Sequence, residues 1–326
     1  MTVYYFIIFV LSFFLTLLVR WIAIRKAIMD IPNDRSSHTL PTPRGGGLAV
    51  VITWFLAISF LYLSNKMQDQ LFFALLSGIP LVAISFMDDL LTLKPGIRFL
   101  FQSLSAVLAL YFLQGLKIVD LGFGSLTLPW VWTPIAFVAI LWSINLFNFL
   151  DGIDGYIGVE TVFIGLAIAL FFNPLLGITL ALAVLGFLAW NFPPAKIFMG
   201  DVGSTLMGFN VAVFAIWYQN TTEASILTFL ILSSAFWFDA TITLFRRWRN
   251  KEKLSEAHRK HAYQRLVQSG LSHKQVTLGL CVFNLILLVL AFLSLNYPTY
   301  VLVFFCMSLL CSWVMMWYTD KRKRFA

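Results

Sequence analysis

The chain has 326 residues, a mean hydropathy of +0.85, only 12% charged residues and a formal net charge of +8. A 60% hydrophobic share with 33 phenylalanines excludes an ordinary soluble domain of this length. The positive balance needs no nucleic acid, because the basic residues gather where apolar runs end, as expected beside anionic headgroups.

Taken in chain order, eleven nearly uncharged segments are each about long enough to cross a bilayer. They lie at 2–19, 47–64, 71–87, 98–116, 131–149, 157–172, 174–190, 203–218, 224–245, 277–295 and 298–318. The first has no basic lead or small-residue cleavage site and reads as an anchor, not a removed signal. With the N-terminus outside, 21 of the 23 Lys and Arg residues fall in inside loops, leaving only Lys66 and Lys117 outside. A wrong span count would scramble that parity. The expected fold is therefore all-α: a polytopic membrane protein of eleven transmembrane helices with a cytoplasmic C-terminus. It forms a single domain over 1–326, within which 246–275 is a cytoplasmic basic loop. Cys281, Cys306 and Cys311 fall in the last two segments. Cys306 and Cys311 are five apart on one helix and cannot bridge, so buried small residues are expected.

Acids near a hydrocarbon boundary are costly and usually functional. Asp88 and Asp89 end the third segment in "SFMDDLLTLKPGIR", and Asp151 and Asp154 follow the fifth in "NLFNFLDGIDGYIGVE". Asp201 precedes the eighth in "PPAKIFMGDVGS", and Asp239 lies inside the ninth. Four separate segments thus bring carboxylates to one depth on one side. Adjacent acids repel, and a cation among them lets them stay ionised together. Oxygen-only donors favour a hard ion, Mg²⁺ or Mn²⁺. Asn145, Asn148, Asp151 and Asp154 step by three, so successive members are neighbours on a helix, and Gly152 and Gly155 let that helix unwind beside a polar cavity. The plain alternative is a solvated helix end whose Asn and Asp cap the next span.

"EAHRKHAYQRL" places His258, His261 and Arg265 at helical spacing, with Arg259 and Lys260 beside them. Such donors suit phosphate oxygens better than a metal; a membrane-surface helix holding headgroups is the competing reading. "SSHTLPTPRGGG" pairs His38 and Arg44 with three glycines that either cradle an anion or form a flexible lead-in to the second segment. Phe192 and Phe198 flank two prolines and are candidates for stacking on a nucleobase. Lys196 and Arg98 read as boundary markers, and Trp142, Trp190 and Trp237 as interface or packing aromatics. Glu160, early in the sixth segment, either faces the cleft or pairs with a neighbour.

Four motifs in order, "MDDLLTLKP", "NLFNFLDGIDGY", "PPAKIFMGDVGS" and "AHRKHAYQRL", together with the eleven-span layout, resemble the polyprenyl-phosphate N-acetylhexosamine-1-phosphate transferases. That family includes the phospho-MurNAc-pentapeptide translocase and the initiating transferases of O-antigen, enterobacterial common antigen and teichoic acid linkage units. "SSHTLPTPRGGG" is similar to its first cytoplasmic loop. Many members carry adjacent histidines where this chain has His258-Arg-Lys-His261, a spacing similar to the subgroup that starts O-antigen with UDP-activated deoxy sugars such as FucNAc or QuiNAc.

The resemblance implies a Mg²⁺ aspartate at Asp201 and the family's acidic pair at Asp88 and Asp89, which serve as catalytic and metal residues. It places the nucleotide-sugar site on Asn145, Asn148, Asp151 and Asp154, and the phosphate-binding loop on His258, Arg259 and His261, with Arg44 joining from the first loop. The implied reaction joins polyprenyl phosphate and a UDP-N-acetylhexosamine, or a deoxy derivative, to give polyprenyl-diphospho-HexNAc and UMP. It would run at the cytoplasmic face of a bacterial inner membrane, in a monomer or a homodimer. A transporter would place its acids near the midplane, often with repeat symmetry; these acids sit at one face and no repeat is visible. Other lipid phosphotransferases fit less well: Asp154-Gly155 is followed by Tyr156-Ile157, not the Ala-Arg of the CDP-alcohol enzymes.

Overall fold

In lipid, backbone groups must pair within the segment that carries them, which leaves helices as the available solution for these apolar runs. The computed structural model describes every residue except 33–36, 38, 39, 92, 255, 257 and 326. His38 and Arg35 therefore lie outside the described residues.

The chain begins with α1 (Thr2–Arg25). A two-residue antiparallel hairpin, β1 (Met29–Asp30) and β2 (Thr42–Pro43), leads to α2 (Gly47–Leu63), α3 (Asp69–Leu76), α4 (Ile79–Leu91) and α5 (Pro95–Leu113). A second hairpin, β3 (Ile118–Asp120) and β4 (Ser125–Thr127), precedes α6 (Pro129–Phe149), α7 (Tyr156–Phe171), α8 (Pro174–Asn191) and α9 (Asp201–Thr221). Then come α10 (Ile226–Leu232), α11 (Ser234–Arg249), α12 (Ala262–Gln268), α13 (His273–Asn296) and α14 (Val301–Arg322). Proline opens α5, α6 and α8, where its missing N–H costs nothing. Asn173 caps α8 by accepting the Leu176 N–H at 3.0 Å.

Each of the eleven predicted segments is one of these helices or a pair of them. Among the described residues seven helical runs are long and apolar enough to cross a bilayer, or eight with α10 and α11 counted as one span. The shorter apolar helices α2 and α7 have 17 and 16 residues. α10 and α11 meet at 79°. No proline causes this bend. At the break the Ser233 hydroxyl donates to the Phe229 carbonyl at 2.7 Å and the Trp237 indole to the Leu230 carbonyl at 2.8 Å, so the freed backbone is satisfied locally.

α9 is the hub. Nearly all its side chains are buried, and it packs against α2, α4, α5 and α6. The core runs through these helices and on to α12 and α13. α1 and α14 lie at the edge, with only 22% of their apolar windows buried in protein. That position corrects the expected burial of the cysteines: Cys306 is exposed on α14, and Cys281 and Cys311 are half-buried, all three as free thiols.

The loop after β2 lies along the segment before α9. Phe198 N–H donates to Pro43 at 2.8 Å, Gly46 N–H to Phe198 at 2.9 Å and Gly47 N–H to Met199 at 2.8 Å. This lattice delivers Arg44 to the start of α9.

Candidate active site

The acidic pair ends α4 in two different environments. Asp88 Oδ1 accepts the Leu93 N–H at 2.6 Å, and its Oδ2 accepts from Arg98 Nη1 at 2.8 Å. The same Arg98 nitrogen is 4.0 Å from Asp201 Oδ2, so one guanidinium stands between two carboxylates. Asp89 turns toward the first loop: Arg44 Nη1 is 4.0 Å from its Oδ1, and Arg44 donates to its backbone carbonyl. Asp89 Oδ2 is buried without a hydrogen-bond partner and lies 3.2 Å from the place a Cβ on Gly200 would take.

Asn145 and Asn148 project from the last turns of α6. Asn145 pairs its amide with Gln102, at 3.0 and 3.5 Å, and also donates to the Leu141 carbonyl at 2.7 Å. Asn148 faces the start of α9, donating to Ser204 Oγ at 3.4 Å. A cavity of about 250 Å³ is bounded by Asp88, Arg98, Gln102, Asn145, Asn148 and Asp201. α6 stops at Phe149, so Asp151 and Asp154 sit in the turn that follows and not on the helix face. Burial, followed by the nearby Asp201 and Asp89 carboxylates, pushes Asp151 up to about 8. A cation among these acids would reverse that push. Asp154 is fully engaged: Oδ1 lies 3.1 Å from His273 Nδ1, Oδ2 accepts the Ala195 N–H at 3.0 Å, and its carbonyl accepts from Thr277 at 2.9 Å. Gly155 opens α7 with φ +74°, a conformation glycine adopts freely, and Asn191 accepts its N–H at 3.0 Å.

The basic segment departs from the predicted helix. Residues 258–260 are not helical, and α12 begins only at Ala262. Two side chains dictate this. Arg247, 2% exposed, donates to the carbonyls of Lys253 at 2.6 Å, Leu254 at 3.3 Å and Glu256 at 3.1 Å, and pairs with Glu252 at 3.1 Å. Asp239 accepts the Ala262 N–H at 2.9 Å and lies 3.6 Å from His261 Nδ1, which makes Ala262 the first helical residue. Arg265 turns away from His258, toward α14. His258 packs 4.8 Å from the His261 ring, and burial, then the His261 and Arg247 charges, lowers it to about 3. Arg259 accepts from Gln268 through its carbonyl at 2.7 Å. Tyr263 joins the loop to α6 by donating to the Phe149 carbonyl at 3.1 Å.

The structure thus lines one cavity with Asp88, Asn145, Asn148 and Asp201; Asp89 and Asp151 lie close enough to Asp201 to feel its charge, and Arg44 joins through Asp89. The fold docks His261 and Tyr263 against the adjoining end of α6, where the His261 and Phe149 rings are 6.5 Å apart. Among the described residues no three His, Cys, Asp or Glu side chains converge as a ready metal cage. The donor set still fits a magnesium ion held by two carboxylates and substrate phosphates: Asp201 lies at the cavity and Asp89 keeps an unpartnered buried oxygen.

Other expectations resolve differently. Glu160 pairs with Asn284, which donates to it at 2.8 Å, and is wholly buried. Trp142, Trp190 and Trp237 pack, each donating its indole N–H to a neighbouring helix or turn. Gly46 and Gly47 serve close packing, since a Cβ would lie 2.5 Å from Phe187 Cε2 or from Gly203 Cα respectively. Sequence reasoning read Arg98 only as a boundary marker and passed over Gln102 and Arg247. Arg98 carried a signal, a cation one helical turn into α5 just after the acidic pair; Arg247 carried none.

A family model described as glycosyl transferase family 4 matches residues 71–219, the span from α3 to the end of α9. The probable undecaprenyl-phosphate N-acetylglucosaminyl 1-phosphate transferase of Bacillus subtilis is 32% identical over 283 residues, covering 81% of this chain and 76% of its own length. The chain belongs to glycosyl transferase family 4. The decaprenyl-phosphate N-acetylglucosaminephosphotransferase of Mycobacterium tuberculosis is 30% identical over 307 residues, 82% of this chain and 76% of the relative. The undecaprenyl-phosphate alpha-N-acetylglucosaminyl 1-phosphate transferase of Yersinia pestis is 29% identical over 298 residues, 82% and 77%. The family 4 match takes in three of the four acidic segments and Arg98, while Asp239 and the basic loop lie beyond it. The resemblance carried by the motifs is borne out at the level of the family, and the chain is a transferase.

Proposed function

We propose that this chain is a phosphotransferase that moves N-acetylhexosamine 1-phosphate from a UDP-sugar to a polyprenyl phosphate, releasing UMP. The observation that carries this reading is the meeting of Asp88 and Asp201, from separate helices, with Arg98 at one cavity, the Asp89–Arg44 pair standing close by and a loop of His and Arg donors docked on the adjoining end of α6. An acid cluster alone would suit a cation, and a basic loop alone a headgroup; a reaction between two phosphates needs both. The names of the relatives support the reaction class. The site faces the cytoplasm of a bacterial inner membrane, an orientation supported by 21 of 23 basic residues falling on one side.

Magnesium held by Asp201 and Asp89 would neutralise the donor diphosphate as one anion approaches another. Arg98 and Arg44 are placed to take phosphate oxygens, exchanging their carboxylate partners for substrate. His258 and Arg259 hold the phosphate that departs with uridine, where negative charge grows. Asp88, which lines the cavity, or its neighbour Asp89 accepts a proton from the lipid phosphate. The demand is modest, because a phosphate monoester's second pKa is about 6. Asn148 orients Asp201, and Asn145, tied to Gln102, shapes the cavity wall.

The pathway is the opening step of an O-antigen or another surface glycan. The His258-to-His261 spacing favours a deoxy sugar, whereas the named relatives act on N-acetylglucosamine. The test is UMP release by purified protein given undecaprenyl phosphate, Mg²⁺ and, in turn, UDP-GlcNAc, UDP-GalNAc, UDP-FucNAc and UDP-QuiNAc. Release that needs the lipid, the metal and Asp201 is expected, with the preferred sugar naming the pathway. No lipid-dependent release with any of the four overturns the reading.

A further inference from the structure

The basic loop leaves α11 after Arg249 and rejoins helix at α12, and both helices that flank it carry an arginine aimed at the same carboxylate. Arg246 donates to Asp320 through two nitrogens, at 2.8 and 2.9 Å, a bidentate fork. Arg265, on α12, donates to Asp320 Oδ1 at 2.6 Å, to the Lys323 carbonyl at 2.9 Å and to Met316 Sδ at 3.1 Å. Asp320 belongs to the last turns of α14, an otherwise peripheral helix far along the chain from the acidic corners. The Phe325 ring beside it lies 5.4 Å from the Arg246 guanidinium, 5.3 Å from that of Arg265 and 5.6 Å from the Lys260 ammonium. Lys260 is itself a loop residue, between Arg259 and His261, and pairs with Glu252 at 2.8 Å.

We propose that Asp320 is a positioning residue for the reaction: by binding Arg246 and Arg265 together it closes the two stems of the 250–261 loop and so sets where His258 and Arg259 meet the donor phosphates. This inference rests on the proposed function, since it assigns the loop to the UDP-sugar. It goes further by giving α14, outside the family match at 71–219, a part in substrate binding. The physical ground is that the described residues between Lys251 and His261 form no helix or strand of their own. Its shape depends on side-chain nodes. Arg247 is the inner node, gathering loop carbonyls, and Asp320 is the outer one. Arg265 is 2% exposed, so its charge has no water to fall back on once Asp320 is neutralised. It must shift, and α12 with it.

A carboxylate that only fastened α14 to the bundle would affect the amount of folded protein and not the affinity for one substrate. The experiment uses the full chain in lipid nanodiscs and compares the unaltered chain with Asp320→Asn and Asp320→Glu. Two readouts are taken: hydrogen exchange of backbone amides, and UMP release with the two substrates varied separately. In Asp320→Asn, amides from Lys251 to Ala262 should exchange faster while those of α6 and α9 do not. The KM for UDP-sugar should rise about tenfold, as for loss of a group that orients a binding residue, with the KM for undecaprenyl phosphate unchanged. Asp320→Glu, which keeps the charge, should recover much of both.

If Asp320→Asn does not fold, the double variant Asp320→Asn with Arg265→Gln leaves no buried charge unpaired and carries the same expectation. Loop exchange equal to that of the unaltered chain in a folded variant, or an unchanged UDP-sugar KM, overturns the proposal. If the unaltered chain releases no UMP from any sugar, the proposed function falls, while the exchange readout still decides whether Asp320 orders the loop.

Discussion

The Tyr263 hydroxyl occupies the space that a side chain on Gly152 would need: a Cβ there would lie 2.1 Å from that oxygen. Because Tyr263 also donates to the Phe149 carbonyl, the bare backbone of the turn after α6 latches the basic loop against the residues that carry the carboxylates. Tyr156 stacks on Tyr263 at 5.0 Å and on Phe236 at 5.1 Å, so the latch is backed by packed rings. Gly152→Ala should therefore push the two halves of the site apart, costing roughly 1–3 kcal/mol of stability by overpacking and most of the activity. Adding Tyr263→Phe removes the clashing oxygen and should restore part of both. Thermal unfolding and UMP release of the two single variants and the double variant check this; a Gly152→Ala protein as active as the unaltered one rules the latch out.

Asp88 and Asp201 share Arg98 but differ in what they are asked to do. If Asp201 holds the metal as proposed, Asp201→Asn should lower kcat roughly 1,000-fold. If Asp88 is the proton acceptor, its loss matters little near neutrality, and Asp88→Asn should cost less, roughly 100-fold. Rates measured from pH 6 to 9 separate them, since the Asp88→Asn defect should shrink as pH rises and the lipid phosphate ionises unaided. Equal loss in the two variants across that range contradicts these roles.

His258 makes stability depend on pH. It is lowered to about 3 in the folded protein, from 6.5 in an unfolded chain, first by burial and then by the His261 and Arg247 charges. Between those values the unfolded chain binds a proton that the folded one refuses. The contribution of neutral His258 is therefore fully present above pH 6.5 and is lost as pH falls toward 3. The His258→Asn protein should lose less melting temperature than the unaltered chain between pH 7.5 and 4.5. Parallel melting curves over that interval would show the histidine charging without consequence.

Glu160 and Asn284 join α7 to α13 in the interior, with Glu160 Oε1 and Asn284 Oδ1 left without partners. Glu160→Gln offers an amide N–H to the free Asn284 oxygen and should fold as well as the unaltered chain, with full activity. Glu160→Ala leaves a void and an unpaired amide, and should cost roughly 2–4 kcal/mol. Unfolding midpoints in nanodiscs decide it, and a Glu160→Gln protein as impaired as Glu160→Ala would mean the carboxyl itself is required.

Much of this architecture could be read along the chain because a membrane helix announces itself locally. The second segment, expected at 47–64, is a helix at Gly47–Leu63, and the sixth, expected at 157–172, is Tyr156–Phe171. The 79° break between α10 and α11 was not legible: no proline or glycine marks it, and the groups that satisfy the broken backbone are a serine hydroxyl and an indole. The expected helix from His258 to Arg265 failed for a related reason. Its spacing was helical, but Arg247 and Asp239 bind the backbone groups that a longer helix would have used.

Hydropathy and charge placement alone were enough for the class of fold, and the acidic and basic motifs for the family. Both depend on short stretches of residues, since crossing a bilayer requires an unbroken apolar run and a phosphate site requires charged groups at the run's end. Which charge meets which was decided in three dimensions. Adjacent residues on a helix point about 100° apart, so Asp88 turns to Arg98 while Asp89 turns to Arg44 and the start of α9. Nor could spacing foretell that Arg246 and Arg265 would share Asp320, 74 and 55 residues distant along the chain. Those pairings arise only once α9 is packed at the centre and α14 along the edge, because a buried ion is tolerated only where a partner from another helix already stands.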